Sequence, residues 1–382
     1  MARAFLTQEY LKNRVSRQKF RFNHLKGCVT LSLTHPTDKD KNVSLAGKKC
    51  GYWFVNLSAD CSYKSAKTFT KSIRKMEFLS SPFVSVIIPV YNDGERLKLC
   101  LEALENQTYA KNLYEVIVID NGSDESEDIK GVVAQFSQAI ATSETTPGSY
   151  AARNKGISLA KGEAIAFTDS DCIPALNWIE NGVKNLLQVP NCGLVAGKIE
   201  IFFKNPNQLT PVELYESIMA LPQKEFLEKH NYGATANVFT FKRVIENVGI
   251  FDANLKSSGD VEWGQRVASC GYKQVYAEDT CVDHPARYSF EQLYRRTLRH
   301  AGGHYDLQKQ KCQSFLKQNQ MFLASFFRDL TPPLMFAFKV FSDSRLKTIE
   351  QKIKVSLVMV FIRYISAWEK LRLKLGGNSV RD

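Results

Sequence analysis

Two carboxylates two residues apart, Asp169 and Asp171, close the apolar run EAIAFTDSD. Set in a turn, such a pair can offer oxygen ligands to a hard divalent cation. Mg²⁺ and Mn²⁺ commonly take one or two protein carboxylates and complete their shell with substrate phosphates. Alone, Asp-x-Asp serves as readily as a capping turn before the helix expected over Pro174–Leu187. Asp120 ends a second apolar run, YEVIVID. It can accept from a base N–H or a ribose hydroxyl, or form an Asx turn with Asn121-Gly122. Tyr91 and Asn92 follow a third run, FVSVIIPVY, and the Tyr91 ring could stack on a planar base or be an ordinary aromatic at a strand edge. Arg153, in SYAARNKG, can donate to a base or phosphate, or hold a surface ion pair. In SSGDVEWG, Asp260 and Glu262 sit where a helix begins. A carboxylate there is either a dipole partner or, in a cleft, a general base. His284, in VDHPARY, can lend a metal a neutral imidazole nitrogen or be a structural histidine. Arg295, Arg296, Arg299, His300 and His304 form a basic cluster suited to a leaving diphosphate or to a membrane surface.

The elements that must position these groups read clearly from Phe83 onward. FVSVIIPVY and YEVIVID are continuous apolar runs rich in β-branched residues, as expected of strands buried on both faces. Between them NDGERLKLCLEALENQTY reads as a helix with Leu97, Leu101 and Leu104 on one face and Asn92 or Asp93 as its N-cap. IKGVVAQFSQ and SYAARNKGISLAKG read as further helices, and EAIAFTDSD as a third strand. Alternating strands and helices predict an α/β domain with a mainly parallel sheet flanked by helices. In such sheets, ligands bind outside the carboxyl ends of the strands, which is where Tyr91, Asp120, Asp169 and Asp171 fall. GxGxxG and GxxxxGK[ST] are both missing, which argues against dinucleotide-binding and P-loop readings.

The charge is uneven. Of a net +12 over 382 residues, residues 1–80 carry +11, residues 81–284 carry −10 and residues 285–382 carry +11. Basic arms can bind nucleic acid, anionic lipid or an acidic substrate, or act as solvated surface. No helix-turn-helix, zinc finger or RNP signature accompanies them, and the acidic middle would repel phosphate, so nucleic acid is a disfavoured partner. The nine cysteines are scattered without a CxxC pair, a pattern that fits reduced thiols in a cytosolic protein.

Taken together, SVIIPVYN, VIVIDNGSDE, PGSYAARNKGISLAKGEAIAFTDSDC, GATANVFTFKR, GIFDANLKSSGDVEWGQRVASCGY and VDHPARY resemble glycosyltransferase family 2, the inverting enzymes with the GT-A fold. The resemblance implies a GT-A catalytic domain over residues 82–305, a basic extension over 1–81 and a basic amphipathic helical region over 306–382. It implies an inverting, metal-dependent transfer of a sugar from a nucleotide-sugar donor, with UDP-sugar favoured, to a hydroxyl acceptor, in surface polysaccharide or glycolipid assembly. By the same resemblance Pro89, Tyr91, Asn92, Asp120, Arg153 and Asp169 line the nucleotide site. Asp171, Asp169 and His284 hold Mg²⁺ or Mn²⁺. Asp260 is the general base, with Glu262 as the other candidate. Where the family often reads Glu-Asp-x-Glu, this chain has Gly259-Asp260-Val261-Glu262. The lost Glu removes a like charge that would raise the Asp260 pKa. It also keeps open a catalytically silent relative that only binds the sugar nucleotide.

Residues 1–80 contain strand-like fragments, CVTLSL and YWFVNL, read as a small β unit or a partly disordered extension. Beyond 305, KVSLVMVFIRYISAWEKLRLKLGG reads as a helix mixing apolar residues with cations. Peripheral contact with a membrane surface is the favoured reading, and packing back on the catalytic domain the other. No apolar run is long enough to span a bilayer. A cytoplasmic location is expected, with the cytoplasmic membrane face as the place of any such contact.

Overall fold

A computed structural model describes residues 81–312 and 314–381, together with the backbone of five strands within residues 1–80. The chain divides into two compact units, Met1–Ser80 and Ser81–Asp382. In the first, Phe5–Leu6 (β1), Phe20–Leu25 (β2), Cys28–Leu33 (β3), Lys41–Lys49 (β4) and Tyr52–Asn56 (β5) pair antiparallel in the order β1-β5-β4-β3-β2. The strand-like fragments CVTLSL and YWFVNL fall on β3 and β5.

The second unit opens with Val84–Val90 (β6), whose every residue is buried. A run without polar alternation is what a strand covered on both faces requires. Gly94–Glu105 (α1) leads to Tyr114–Asp120 (β7), then Ile129–Val133 (α2), Ala139–Ser143 (β8), Ser149–Leu159 (α3) and Ala164–Thr168 (β9). β6 pairs parallel with both β7 and β9, and β7 parallel with β8. Ile87, Ile88, Ile117 and Ile119 have no exposed surface. Burial of such side chains favours folding by roughly 1.5–3 kcal/mol each before entropy is set against it.

The sheet then changes character. Ile173–Pro174 (β10), Trp178–Gln188 (α4), Cys192–Phe202 (β11), Pro211–Met219 (α5), Gln223–His230 (α6) and Asn237–Phe241 (β12) follow. Lys242–Val248 (α7), Gly259–Ser269 (α8) and Lys273–Pro285 (β13) complete the sheet region, in strand order β10-β13-β11-β12-β9-β6-β7-β8. β12 lies antiparallel between β9 and β11, and β10 antiparallel on β13, while β11 and β13 run parallel. The sheet is therefore mixed, with its parallel half built from the strands most legible in sequence.

Two local expectations are corrected. The helix expected over Pro174–Leu187 starts only at Trp178. Ile173 and Pro174 instead pair with Asp283 and Val282. Asp93 does stand at the N-cap of α1 but its side chain caps nothing. The Gly94 N–H is met by Glu127 Oε2 at 2.7 Å, which leaves Asp93 to face the site.

Phe290–Lys311 (α9), Phe315–Leu330 (α10), Leu334–Ser342 (α11) and Ile349–Lys374 (α12) end the chain. α12 packs back on the unit: Val355 and Val358 join Val212, Tyr215, Leu293 and Val340 in a second apolar cluster. Lys370 and Ser366 of α12 both hold the buried Asp329 of α10, at 2.6 and 2.8 Å. No helix among the described residues is long and apolar enough to cross a membrane.

Candidate active site

The carboxyl ends of β6, β7 and β9 bring the predicted residues to one edge. Tyr91 is 55% exposed just past β6. Asn92 adopts a left-handed backbone (φ 48°) and ties this end to the β7 turn. Its N–H donates to Ser123 Oγ at 2.9 Å, its Nδ2 to Asp124 Oδ2 at 3.1 Å, and its Oδ1 accepts from the Asp124 N–H at 2.7 Å. Asp120 Oδ1 accepts from the N–H of Ser123, three residues on, at 2.9 Å. Pro89 lies buried within β6, beyond Ile87, the last residue paired with β9, so its missing N–H leaves no ladder bond unmade on that side.

Arg153 projects from α3 and is buried, with Nη2 2.5 Å from Asp169 Oδ1. Its Nε is buried and has no hydrogen-bond partner among the described residues. A buried donor without an acceptor is costly, so a site that supplies one is expected beside it.

The short β10 explains how Asp171 meets His284. Pairing of Ile173 with Asp283 sets the Asp169–Asp171 turn beside the end of β13, and His284 Nε2 stands 3.8 Å from Asp171 Oδ1. His284 lies inside β13, not after it. Its Nδ1 is 2.9 Å from the Pro285 carbonyl, which can only accept. Nδ1 therefore carries a hydrogen, and Nε2 is the nitrogen turned toward Asp171. Cys172 completes a triad of ligand atoms with Asp171 and His284. Burial, then the Asp171 and Asp169 charges, push its thiol pKa well above the usual range, so it remains a thiol and a poor ligand. One carboxylate oxygen and one imidazole nitrogen, with Asp169 alongside, fit a divalent cation of the Mn²⁺ or Mg²⁺ kind.

Asp93 and Arg96 are additions that sequence reasoning did not reach. Asp93 accepts from Arg96 Nε at 2.6 Å and from Ser170 Oγ at 3.2 Å, and Arg96 Nη1 lies 3.7 Å from Asp171 Oδ2. Burial raises the Asp93 pKa despite its Arg96 partner. The only signal was an N-cap that left its own helix uncapped.

Asp260 stands in the first turn of α8, after Ser258 in left-handed backbone (φ 65°). Its Oδ1 accepts from the Val261 N–H at 2.9 Å and faces the Tyr150 hydroxyl at 3.4 Å. Desolvation raises its pKa, opposed by the Val261 hydrogen bond and the Arg153 charge. Glu262 is differently placed: both its oxygens pair with Arg266, at 2.7 and 2.8 Å, and Arg266 also holds the Val248 and Ile250 carbonyls. Tyr150, buried and kept as a phenol by burial and the Asp260 charge, belongs to the site although only its motif was noticed.

The basic cluster of α9 divides by face. Arg295 pairs with Glu291 at 2.6 Å on the exposed side. Arg296 turns to the buried Glu216, which Arg287 also holds at 3.0 Å. Arg299 is the member whose charge acts on Tyr150, Asp169 and Asp260, and burial lowers its pKa. Desolvation of its ring and the charges of Arg296, Arg299 and Arg287 push the His300 pKa down, although the residue reaches solvent.

A mixed sheet flanked by helices, with carboxylates gathered at its strand ends, is the GT-A arrangement. Among solved structures, a mannosyltransferase from Pyrobaculum calidifontis, PcManGT, in complex with GDP-Man and Mn²⁺, shares the fold at a TM-score of 0.52 and 17% identity, covering 81% of this chain and 94% of that one. The family model for glycosyl transferase family 2 matches residues 85–249. Glycosyltransferase AglE of Haloferax volcanii is 42% identical over 223 residues, 57% of this chain and 71% of that protein. A pre-mycofactocin glycosyltransferase of Mycobacterium tuberculosis is 29% identical over 211 residues, which cover 43% of its length. The chain belongs to glycosyl transferase family 2, and it is a transferase enzyme.

Proposed function

We propose that the chain moves a sugar from a nucleotide-sugar donor to a hydroxyl acceptor with inversion at the anomeric carbon. The observation that carries this is the meeting of Asp171 and His284 at the carboxyl edge of the sheet, with Asp169 held by Arg153 and Asp260 facing the Tyr150 hydroxyl. The Tyr91 ring stacks on the base, Asp120 accepts from it or from ribose, and Arg153 with Asp169 sets the ribose and diphosphate. Asp171 and His284 would hold a divalent metal, with Asp169 two residues before Asp171 in the same turn. When bound, the ion neutralises charge on the departing diphosphate. Asp260 accepts the acceptor hydroxyl proton as that oxygen bonds to the anomeric carbon. The bond to the diphosphate oxygen breaks and the nucleoside diphosphate leaves with the electron pair. One carboxylate suffices for a single displacement. The bidentate Arg266 pair supports Asp260 over Glu262 as the base, because both Glu262 oxygens are engaged by the guanidinium.

UDP-sugars remain the expected donors from the family resemblance, and the GDP-Man of the mannosyltransferase adds a second candidate. A lipid-linked or polysaccharide acceptor and peripheral membrane contact are part of the same reading. They are supported by a stripe of exposed Ile349, Ile353, Leu357, Tyr364 and Trp368 along α12, beside exposed Leu334, Met335 and Phe338 on α11. The test is thermal melting with UDP, GDP, UDP-glucose and GDP-mannose, each with and without Mn²⁺. A native-state ligand at a hundred times its dissociation constant adds roughly 2.7 kcal/mol. Stabilisation by a nucleotide only with Mn²⁺, lost in Asp171→Ala, is the expected result. A melt unmoved by every nucleotide would overturn the proposal.

A further inference from the structure

The base turn is held from behind by parts of the chain far from it in sequence. After α12 the backbone reverses at Gly376 (φ 99°), and the Gly377 N–H returns to the Arg372 carbonyl at 3.0 Å. Arg372 Nη2 then fixes the Asn378 carbonyl at 2.6 Å. Ser379 follows, its Oγ donating to Asp306 Oδ2 of α9 at 2.6 Å and its carbonyl accepting from Lys256. Arg381 Nη2 reaches the Ala253 carbonyl at 3.1 Å. Its Nη1 lies 2.6 Å from where a Cβ on Gly148, at the head of α3, would stand. One strap thus touches α9, the 253–256 segment ahead of Asp260 and the helix that carries Tyr150 and Arg153.

The glycine pair in YRRTLRHAGGHY fits the same picture. A Cβ on Gly302 would sit 3.0 Å from Ser379 Cβ, and one on Gly303 only 2.5 Å from Ser257 Cβ and 2.8 Å from its carbonyl oxygen. Adjacent residues of α9 therefore admit the strap on one side and the base turn on the other. The Asp260 side chain has one short hydrogen bond, to the next residue, and a long one to Tyr150. Ser258 just before it keeps a left-handed backbone, a strained state that persists only where surroundings over-determine it.

We propose that the strap Gly377–Arg381 and the glycine pair Gly302-Gly303 clamp the turn that carries Asp260, which makes Arg381 and Gly303 positioning residues for the transfer. The catalytic half of this inference rests on Asp260 as the base. The tests are Arg381→Ala and Gly303→Ala in the full chain, read by amide hydrogen exchange and by nucleoside diphosphate release from GDP-mannose and UDP-glucose with Mn²⁺. Arg381→Ala should speed exchange at least tenfold across residues 252–260 and leave β6 and β7 unchanged. It should lower kcat about tenfold with KM for the donor within twofold, and Arg381→Lys should recover part of the loss. A general loss of structure would instead raise exchange in β6 and β7 as well. Unchanged exchange at 252–260 would overturn the clamp, as would a raised KM at full kcat. Where neither donor is turned over, exchange alone decides. Asp260→Asn run in parallel separates the two readings: activity retained there removes the base assignment, while the clamp still stands or falls by exchange in Arg381→Ala.

Discussion

The two halves of the site solve the same problem by different means. At the ends of β6 and β7, polar groups are tied by short local hydrogen bonds in exposed turns: Asn92 to Ser123 and Asp124, Asp120 to Ser123, and Asn121 to the Gly148 N–H at 2.6 Å. Around α8 and α9, charged groups are partly desolvated and their pKa values move: Asp260 up, Arg299 down, and Arg287 down to about 10. The first half gains geometry from turns at little electrostatic cost. The second concentrates desolvated charge where bonds would break, where a low dielectric strengthens every interaction and makes each unpaired group costly. Substitutions in the two halves should therefore differ in both size and kind.

The largest effect is expected at Asp260. Asp260→Asn keeps the side-chain volume and removes the proton acceptor, so the transfer rate should fall by about 10²–10⁴-fold. Metal-dependent nucleotide stabilisation should persist. Because burial raises the Asp260 pKa, ionising it opposes folding above its unfolded value. The Asn variant should then melt higher than the parent at pH 7 and lose that advantage as pH falls through the raised folded pKa. A variant that is inactive but less stable at pH 7 would contradict the burial argument.

Next is the buried ion cluster. Glu216 is 1% exposed and is the shared partner of Arg287 and Arg296. Glu216→Ala leaves two arginines facing each other without a counter-charge, with an expected loss of about 3–5 kcal/mol measured by urea unfolding. Glu216→Gln keeps a hydrogen bond to Arg287 and should cost less. Equal losses for the two would mean that packing, not charge, holds this cluster.

A third effect is the pH profile of the transfer. Only the ionised Asp260 can take a proton, so kcat should fall tenfold per unit on the acid side of its pKa. Since desolvation raises that pKa, the acid limb should begin above the ordinary aspartate value of 3.8. A profile flat down to that value would place the base elsewhere.

These contrasts also explain what the sequence revealed. β6, β7 and β9 were legible because a doubly covered strand needs an unbroken apolar run, and the residues ending those runs are the nucleotide-side candidates. β10 was not: two residues read as a helix start until β13 is there to pair with them. Asp93 looked like a cap because its spacing to α1 was right, and only the Glu127 carboxylate, thirty-three residues beyond the Gly94 N–H it accepts from, takes that duty from it. Glu262 could not be told from Asp260 by spacing, since what distinguishes them is the Arg266 fork one helical turn on. Glu216 gave no signal at all, because its partners lie just after β13 and on α9. What escapes the sequence is thus mostly the half of the site made of buried charge.

The smallest expected effect lies in the exposed half, and Asn92 sharpens the contrast. Its side chain is exposed, so its hydrogen bonds compete with water and their net worth is near 1 kcal/mol in total. Its left-handed φ of 48° adds a second term that separates two substitutions. Asn92→Ala loses the ties to Asp124 and also the short amide side chain that lets asparagine tolerate the left-handed region, which together should cost about 1–2 kcal/mol. Asn92→Gly loses the same ties but relieves the backbone, so it should be the more stable of the two in thermal melts. The order glycine above alanine would show that turn geometry sets this position. The reverse order would mean that the polar bridge between the β6 and β7 ends matters more than the backbone, and the two halves of the site would be less different than their burial suggests.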